Sequence, residues 1–332
     1  MIHYAGGVGN EAREDLNVRA LLLDGDRVRV ADVPDPEPAP GCAVVRVTLA
    51  GVCNTDLELV RGYMGFRGVL GHEFVGVVED GPEDWRGRRV VGEINFACGA
   101  CESCARGLGR HCPTRRVMGI QDADGALAER VAVPLANLHA VPDSVPDVRA
   151  VFTEPLAAAF EIPEQVAIEP GMACLVLGDG KLGLLAAQVL AASGARVRCV
   201  GHHEAKLALL AKRGIETVLE RDWTPSPMDL VVEATGTAAG FAAAIATTRP
   251  RGTLVLKSTV AEHPSLDLAP LVIHEIQVVG SRCGPFASAL AALASNAVEV
   301  EDLVSERIPL ARGVEALDRA KRAAALKVLV EP

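Results

Sequence analysis

Aromatic side chains are scarce in this chain: two Trp, two Tyr and seven Phe among 332 residues. No stacking platform for a flat substrate is evident. Basic residues are the minority charge, with 33 Lys plus Arg against 43 Asp plus Glu and a net charge of −10. An acidic chain repels phosphate backbones and anionic lipid, so no nucleic-acid partner and no membrane-surface partner is expected. A local pocket for a small phosphate stays open. No apolar run reaches the length of a membrane span; the longest, from Leu182 to Ala192, is broken by Gln188. The first seventeen residues hold no apolar secretory segment, and a cytoplasmic location is the simplest expectation. With 49% apolar and 23% charged residues the composition is that of a folded globular chain.

At roughly 150 residues per domain, the length suggests two domains. Residues 1–17 lack periodicity and read as a flexible extension. From Val18 the pattern is strand-like, with short apolar runs punctuated by Gly and Pro, and residues 18–155 read as a β-rich domain. Over residues 156–284 apolar strands alternate with amphipathic helices. Strands are expected at 172–178, 196–201, 228–235, 252–259 and 275–281. Helices are expected from Lys181 to Ser193 and from about Glu204 to Arg213. That alternation predicts an α/β, doubly wound parallel sheet of the Rossmann type. Residues 285–332 read as helix, strand, helix and strand.

Four of the nine Cys fall within fifteen residues, as Cys98-x2-Cys101-x2-Cys104-x7-Cys112. Four thiolates at such spacing close a tetrahedral zinc shell, and a closed shell makes the metal structural. An iron–sulfur cluster also fits the ligand type. The second signal is Gly178-Asp179-Gly180-Lys181-Leu182-Gly183, after one strand and opening a helix. In that context G-x-G-x-x-G is a dinucleotide fingerprint: Gly178 for the turn, Gly180 for approach of the pyrophosphate, Gly183 for helix–strand packing. A ribose-binding acid is expected at the end of the next strand, where this sequence has Gly201. The missing carboxylate, with His202, His203 and Lys206 nearby, favours NADP over NAD, although Glu204 could reach a ribose. The third signal is dispersed. Cys53, Thr55 and Asp56, then His72 and Glu73, then Glu154, offer the Cys, His and carboxylate ligands of a catalytic zinc. Spacing alone does not join them.

Together these motifs resemble the zinc-dependent medium-chain dehydrogenases/reductases, the alcohol dehydrogenase family, over nearly the whole chain. The resemblance rests on Cys53-x-Thr55-Asp56, on Gly71-His72-Glu73 followed by Gly76, on the four-Cys loop, on Glu154-Pro155 and on the glycine loop. The branch it resembles is that of polyol, threonine and bacterial alcohol dehydrogenases, which have a carboxylate where Glu154 stands. The resemblance implies a GroES-like catalytic domain (18–155), a Rossmann domain (156–284), and a C-terminal segment (285–332) that returns to the catalytic domain. It implies two zinc ions per chain. Cys53 and His72 would bind the catalytic ion, with Glu154 as third ligand directly or through water, and Glu73 as a ligand exchanging with water. Thr55 would relay the alcohol's proton, and Asp56 would orient His72. The implied reaction is hydride transfer between an alcohol and NAD(P), with secondary alcohols, polyols or cyclitols favoured. A homodimer or homotetramer joined through Rossmann-sheet edges is implied as well. Two departures stand out: the stretch from Gly76 to Val90 is short and carries Arg88-Arg89, and the N-terminal extension lies outside the family pattern. Two other readings of the fold are a non-catalytic nucleotide-binding relative with structural zinc only, and a zinc-free quinone or enoyl reductase. Neither needs Cys53, Thr55, His72 and Glu154 together.

Overall fold

The structure is a computed structural model that describes residues 17–258 and 266–332. Residues 1–16 of the expected extension and Thr259 of the fourth expected strand lie outside that range. Asn17, expected in the extension, opens the first strand instead.

Strands β1 (Asn17–Asp24) and β2 (Arg27–Pro34) form a hairpin in which Val18, Ala20, Leu21 and Leu23 point into the core. Strand β3 (Cys42–Gly51) runs to the loop at Cys53, and helix α1 (Asn54–Val60) follows. Strands β4 (Gly68–Val69), β5 (Glu73–Asp80) and β6 (Arg89–Gly92) come next. A small lobe of β7 (Asn95–Phe96), α2 (Glu102–Ala105), β8 (Arg116–Met118) and β9 (Asp122–Ala123) carries the four clustered Cys. Strands β10 (Arg130–Pro134) and β11 (Leu138–Ala140) and helix α3 (Asp147–Ala150) complete this part.

Helix α4 (Thr153–Gln165) leads into the second part. There β12 (Ala173–Leu177), α5 (Lys181–Ala192), β13 (Arg196–Gly201), α6 (Glu204–Ala211), β14 (Glu216–Leu219) and β15 (Met228–Glu233) alternate. They continue as α7 (Ala238–Thr247), β16 (Thr248–Leu256), α8 (Ala269–Ile273), β17 (Gln277–Gly280) and α9 (Phe286–Ala294). The six strands make one parallel sheet in the order β14-β13-β12-β15-β16-β17. The order reverses beside β12, and ligands of such sheets bind at that switch point. Covered on both faces, β12 needs no alternation, and Cys174 to Leu177 are all buried. Strand β14 and helix α7 go beyond the sequence reading: Glu216–Leu219 is too short, and Ala238–Thr247 too uniformly small, to show a period.

The chain then returns to its first sheet. Strand β18 (Val304–Pro309), helix α10 (Gly313–Ala320) and strand β19 (Lys327–Glu331) follow. Strand β19 pairs antiparallel with β3, Leu329 opposite Gly51 and Val330 opposite Ala50. The sheet order is β11-β6-β5-β3-β19-β18, with β10 also on β3. One apolar cluster joins Leu49, Val75 and Val91 of this sheet to Phe152 and Leu156 beside the cleft and to Leu184 and Leu190 of α5. Shared core fixes the two parts against each other and so fixes the cleft between them. Among the described residues no helix is long and apolar enough to cross a membrane.

Candidate active site and metal sites

One buried carboxylate assembles the first cluster. Cys53 precedes α1, and its backbone N–H donates to Asp56 Oδ2 at 2.8 Å. Asp56 Oδ1 accepts from the Gly71 N–H at 3.2 Å and lies 3.5 Å from His72 Nδ1. Asp56 therefore ties the loop before α1 to the loop before β5. A sulfur of Cys53, a ring nitrogen of His72 and a carboxylate oxygen of Glu73 come within 4.8 Å of one another. Nδ1 of His72 is buried without a hydrogen bond, its nearest anion being Asp56. Burial works against a charge on His72, but Asp56 and then Cys53 outweigh it, and the ring's pKa stands well above the usual value. A divalent cation would relieve that demand for positive charge, so Cys and His fit a zinc ion here. Thr55 Oγ1 lies 3.7 Å from Cys53 Sγ.

The two glutamates differ. Glu73, 1% exposed, is ion-paired with the equally buried Lys327 of β19, whose ammonium also lies 5.7 Å from the centre of the Phe152 ring. Glu154, in the first turn of α4, stands outside the tight group of three. Burial pushes its carboxyl up to about 7; His72 pulls the other way and Glu73 adds to the rise. The structure thus brings Cys53, Asp56, His72 and Glu73 into contact and leaves Glu154 facing them.

In the lobe the sulfurs of Cys98 and Cys104 are 3.9 Å apart, those of Cys101 and Cys104 3.5 Å, and those of Cys101 and Cys112 3.8 Å. A tetrahedron with Zn–S near 2.3 Å has edges of about 3.8 Å. The donor set therefore fits a single zinc ion. The backbone N–H of Cys98 and the Thr114 hydroxyl hold the Cys112 thiol down to about 6, while the Cys101 thiol and burial push Cys104 up to about 11. Arg110 pins the lobe, donating to Glu161 of α4 at 2.7 Å and to the Cys283 carbonyl at 2.8 Å. Arg282 donates back to Asn95 Oδ1 at 3.2 Å and to the Arg110 carbonyl at 2.8 Å.

The glycine loop joins β12 to α5. Gly178 has φ +116°, and a Cβ there would lie 2.7 Å from the Ala234 carbonyl oxygen. A Cβ at Gly183 would lie 2.0 Å from the Gly178 oxygen, so helix and loop could not close. Around Gly180, which caps α5 without a side-chain bond, a Cβ would meet nothing within 4 Å. Open space before unpaired helix N–H groups suits a pyrophosphate. Leu182 is half-buried against the core. Lys181 reaches across the cleft to the Val52 carbonyl at 3.3 Å; burial, then Lys327, lowers its pKa.

Beyond β13, Gly201 is followed by His202 and His203. His202 Nδ1 lies 3.0 Å from Glu220 in an exposed pair, and His203 Nδ1 lies 3.0 Å from Asp179. Lys206 departs from the expectation that it offsets a phosphate. It is buried, and its ammonium donates to the Ala323 carbonyl. On a helix it points toward the C-terminal segment rather than the cofactor crevice. Sequence reasoning missed Lys327 and Asp179. A lone lysine opening the apolar run Leu326–Val330, and an acid between two fingerprint glycines, were the available signals.

Comparison with known proteins agrees with this geometry. Residues 39–143 match the alcohol dehydrogenase GroES-like domain, and residues 182–298 match the zinc-binding dehydrogenase family. The chain is 32% identical over 309 residues to a D-altritol 5-dehydrogenase of Agrobacterium fabrum, covering 87% of this chain and 91% of the relative. A zinc-binding dehydrogenase of Sinorhizobium meliloti bound to NADP superposes with TM-score 0.88 at 28% identity, covering 96% of this chain and all of the other. An alcohol dehydrogenase of Thermus sp. ATN1 gives 0.85 at 31% identity, covering 94% and 99%. The chain belongs to the zinc-dependent medium-chain dehydrogenase/reductase family, and it is an oxidoreductase of alcohols that uses zinc and a nicotinamide cofactor.

Proposed function

We propose that the chain oxidises a secondary alcohol or polyol, or reduces the matching ketone, in the cleft between β5, α4 and the glycine loop. The observation that carries this reading is the meeting of half-buried Cys53 with buried His72 and Glu73 within 4.8 Å. Cys53 and His72 would hold the catalytic zinc and Glu154 would be the third ligand, directly or through a water. A zinc ion held there would supply Lewis-acid polarisation of a substrate oxygen, and a bound nicotinamide would supply the hydride chemistry. Thr55 carries the alcohol's proton toward solvent. Asp56, 3.5 Å from Nδ1, would orient His72 by charge. Glu73, paired with Lys327, would be the carboxylate able to ligate the ion or exchange with water. The loop Gly178–Gly183, with Lys181 and Leu182, would seat the pyrophosphate. NADP is the favoured cofactor, on the support of Gly201 and of the NADP-bound relative. Polyols are favoured because the D-altritol dehydrogenase is among the relatives.

A second zinc would be structural, held by Cys98, Cys101, Cys104 and Cys112. A homodimer is the assembly favoured, because β17 is a sheet edge and Val278 on it, Val272 and Ile273 on α8 and Leu268 just before α8 are exposed. The nine free thiols suit the reducing cytoplasm. The test is elemental analysis of protein purified without added metal, followed by an alcohol and ketone screen with both cofactors. About two zinc ions per chain with polyol turnover is the expected result. About one, with added zinc restoring no second ion, would return the chain to the non-catalytic or zinc-free readings.

A further inference from the structure

Position 201 lacks the expected carboxylate, but the space beside it does not. Asp179, between the first two fingerprint glycines, is 6% exposed and lies against Gly201. A Cβ at 201 would stand 2.4 Å from Asp179 Cβ, 2.6 Å from its Cγ and 2.7 Å from Oδ2. An acid at 201 and Asp179 in its present place therefore exclude each other by volume, and by charge as well.

Asp179 does not offer a free carboxylate to a ribose. Its Oδ2 accepts the His203 backbone N–H at 2.6 Å and lies 3.0 Å from the ring Nδ1; Oδ1 lies 3.3 Å from the same nitrogen. The His203 side chain remains 40% exposed, and among the described residues its Nε2 has no hydrogen-bond partner. Of the other two cations expected here, Lys206 is tied to Ala323 and His202 faces Glu220. A phosphate at the open edge of His203, opposite the carboxylate, would place the ring between two anions, each within reach of one ring nitrogen. A neutral ribose hydroxyl gives that edge far less. Gly201 permits the whole arrangement, because any side chain there displaces Asp179.

We propose that Asp179 and His203 act as one selectivity device, presenting the open ring edge of His203 to the 2′-phosphate of NADP, so that cofactor choice rests on the contact between the glycine loop and the turn after β13 and not on a carboxylate at position 201. This inference rests on the NADP reading above. The test titrates NADPH and NADH by nicotinamide fluorescence into the full, zinc-loaded chain and three variants. Wild type should bind NADPH at least about tenfold more tightly than NADH, and His203→Ala should reduce that ratio by about tenfold or more. Asp179→Asn, which keeps size and an acceptor for the His203 N–H, should move the ratio the same way by a smaller factor. The double variant Asp179→Ala with Gly201→Asp should turn the preference to NADH. His203→Ala keeps the bond from the 203 backbone N–H to Asp179, and a thermal melt of each variant separates lost binding from lost folding. A wild type that prefers NADH overturns the NADP reading and the inference with it. A wild type that prefers NADPH by a ratio that neither single variant changes overturns the inference alone.

Discussion

The two metal-competent clusters are built on opposite plans. Cys98, Cys101, Cys104 and Cys112 lie within one short loop, so local spacing brings their sulfurs to 3.5–3.9 Å. Cys53, His72 and Glu154 come from a pre-helix loop, a pre-strand loop and the start of α4, and only the folded core places them face to face. A local cluster of thiolates can be self-sufficient, and its stake is the stability of its own lobe. A dispersed cluster with mixed donors keeps charge demand unmet and depends on buried partners such as Asp56 and Lys327. On the proposed function, the contrast is between a site that holds and a site that reacts.

The sharpest way to break that comparison is to cut one ligand from each. His72→Ala or Cys53→Ser should lower kcat/KM by at least about a thousandfold, on the order of 4 kcal/mol of barrier, with Tm near wild type. Cys101→Ser should instead lower Tm and the zinc count while the chains still folded keep turnover. Equal effects on both properties in both sites would end the distinction.

Next in size is Lys327→Met, which leaves Glu73 buried and unpaired. Urea denaturation should find it less stable by about 3–5 kcal/mol. A loss near zero would mean that Glu73 finds another partner.

The third concerns pH in chelator-treated protein. The Glu154 carboxyl sits at about 7 in the folded chain and near about 4.3 when unfolded. The folded state thus binds more protons between these values, and stability falls as pH rises through that window, by about 4 kcal/mol in all. His72, also raised, adds the same sign above about 6.5. Glu154→Gln should flatten the lower part of the slope only; an unchanged slope would remove Glu154 as its source.

The smallest effect links the two clusters. Arg110→Ala removes the bonds to Glu161 and Cys283, and should cost about 1–3 kcal/mol. Hydrogen exchange should then rise in the lobe and in α4 together. A rise confined to the lobe would show that the link carries nothing.

Legibility in the sequence followed the same division. The four-Cys loop could be read from spacing, because covalent continuity alone sets it. Strands β12, β13 and β15, and helix α5, could be read from apolar runs between glycines. Cys53, His72 and Glu154 gained meaning only through family resemblance, since no local period connects residues a hundred positions apart. Lys327 and Asp179 were not legible as partners. Each makes its contact across the fold, with Glu73 and with the neighbourhood of Gly201, and such contacts leave no trace in local spacing. Lys206 failed for the related reason that proximity in sequence says nothing of which side of a helix turn a long side chain takes.

The pairing of β19 with β3 carries one more consequence, in the order of assembly. Between these partners lie all six strands of the parallel sheet. A chain leaving the ribosome from its N-terminus can finish that sheet while the first sheet still waits for its neighbour. Until β19 arrives, Glu73 has no Lys327 beside it, and the reactive cluster bears an unbalanced anion. Long-range pairing of this kind is slow. The parallel-sheet half can then serve as the scaffold on which the other half is completed, and the cluster around Cys53 and His72 reaches its final charge balance only when the last strand closes.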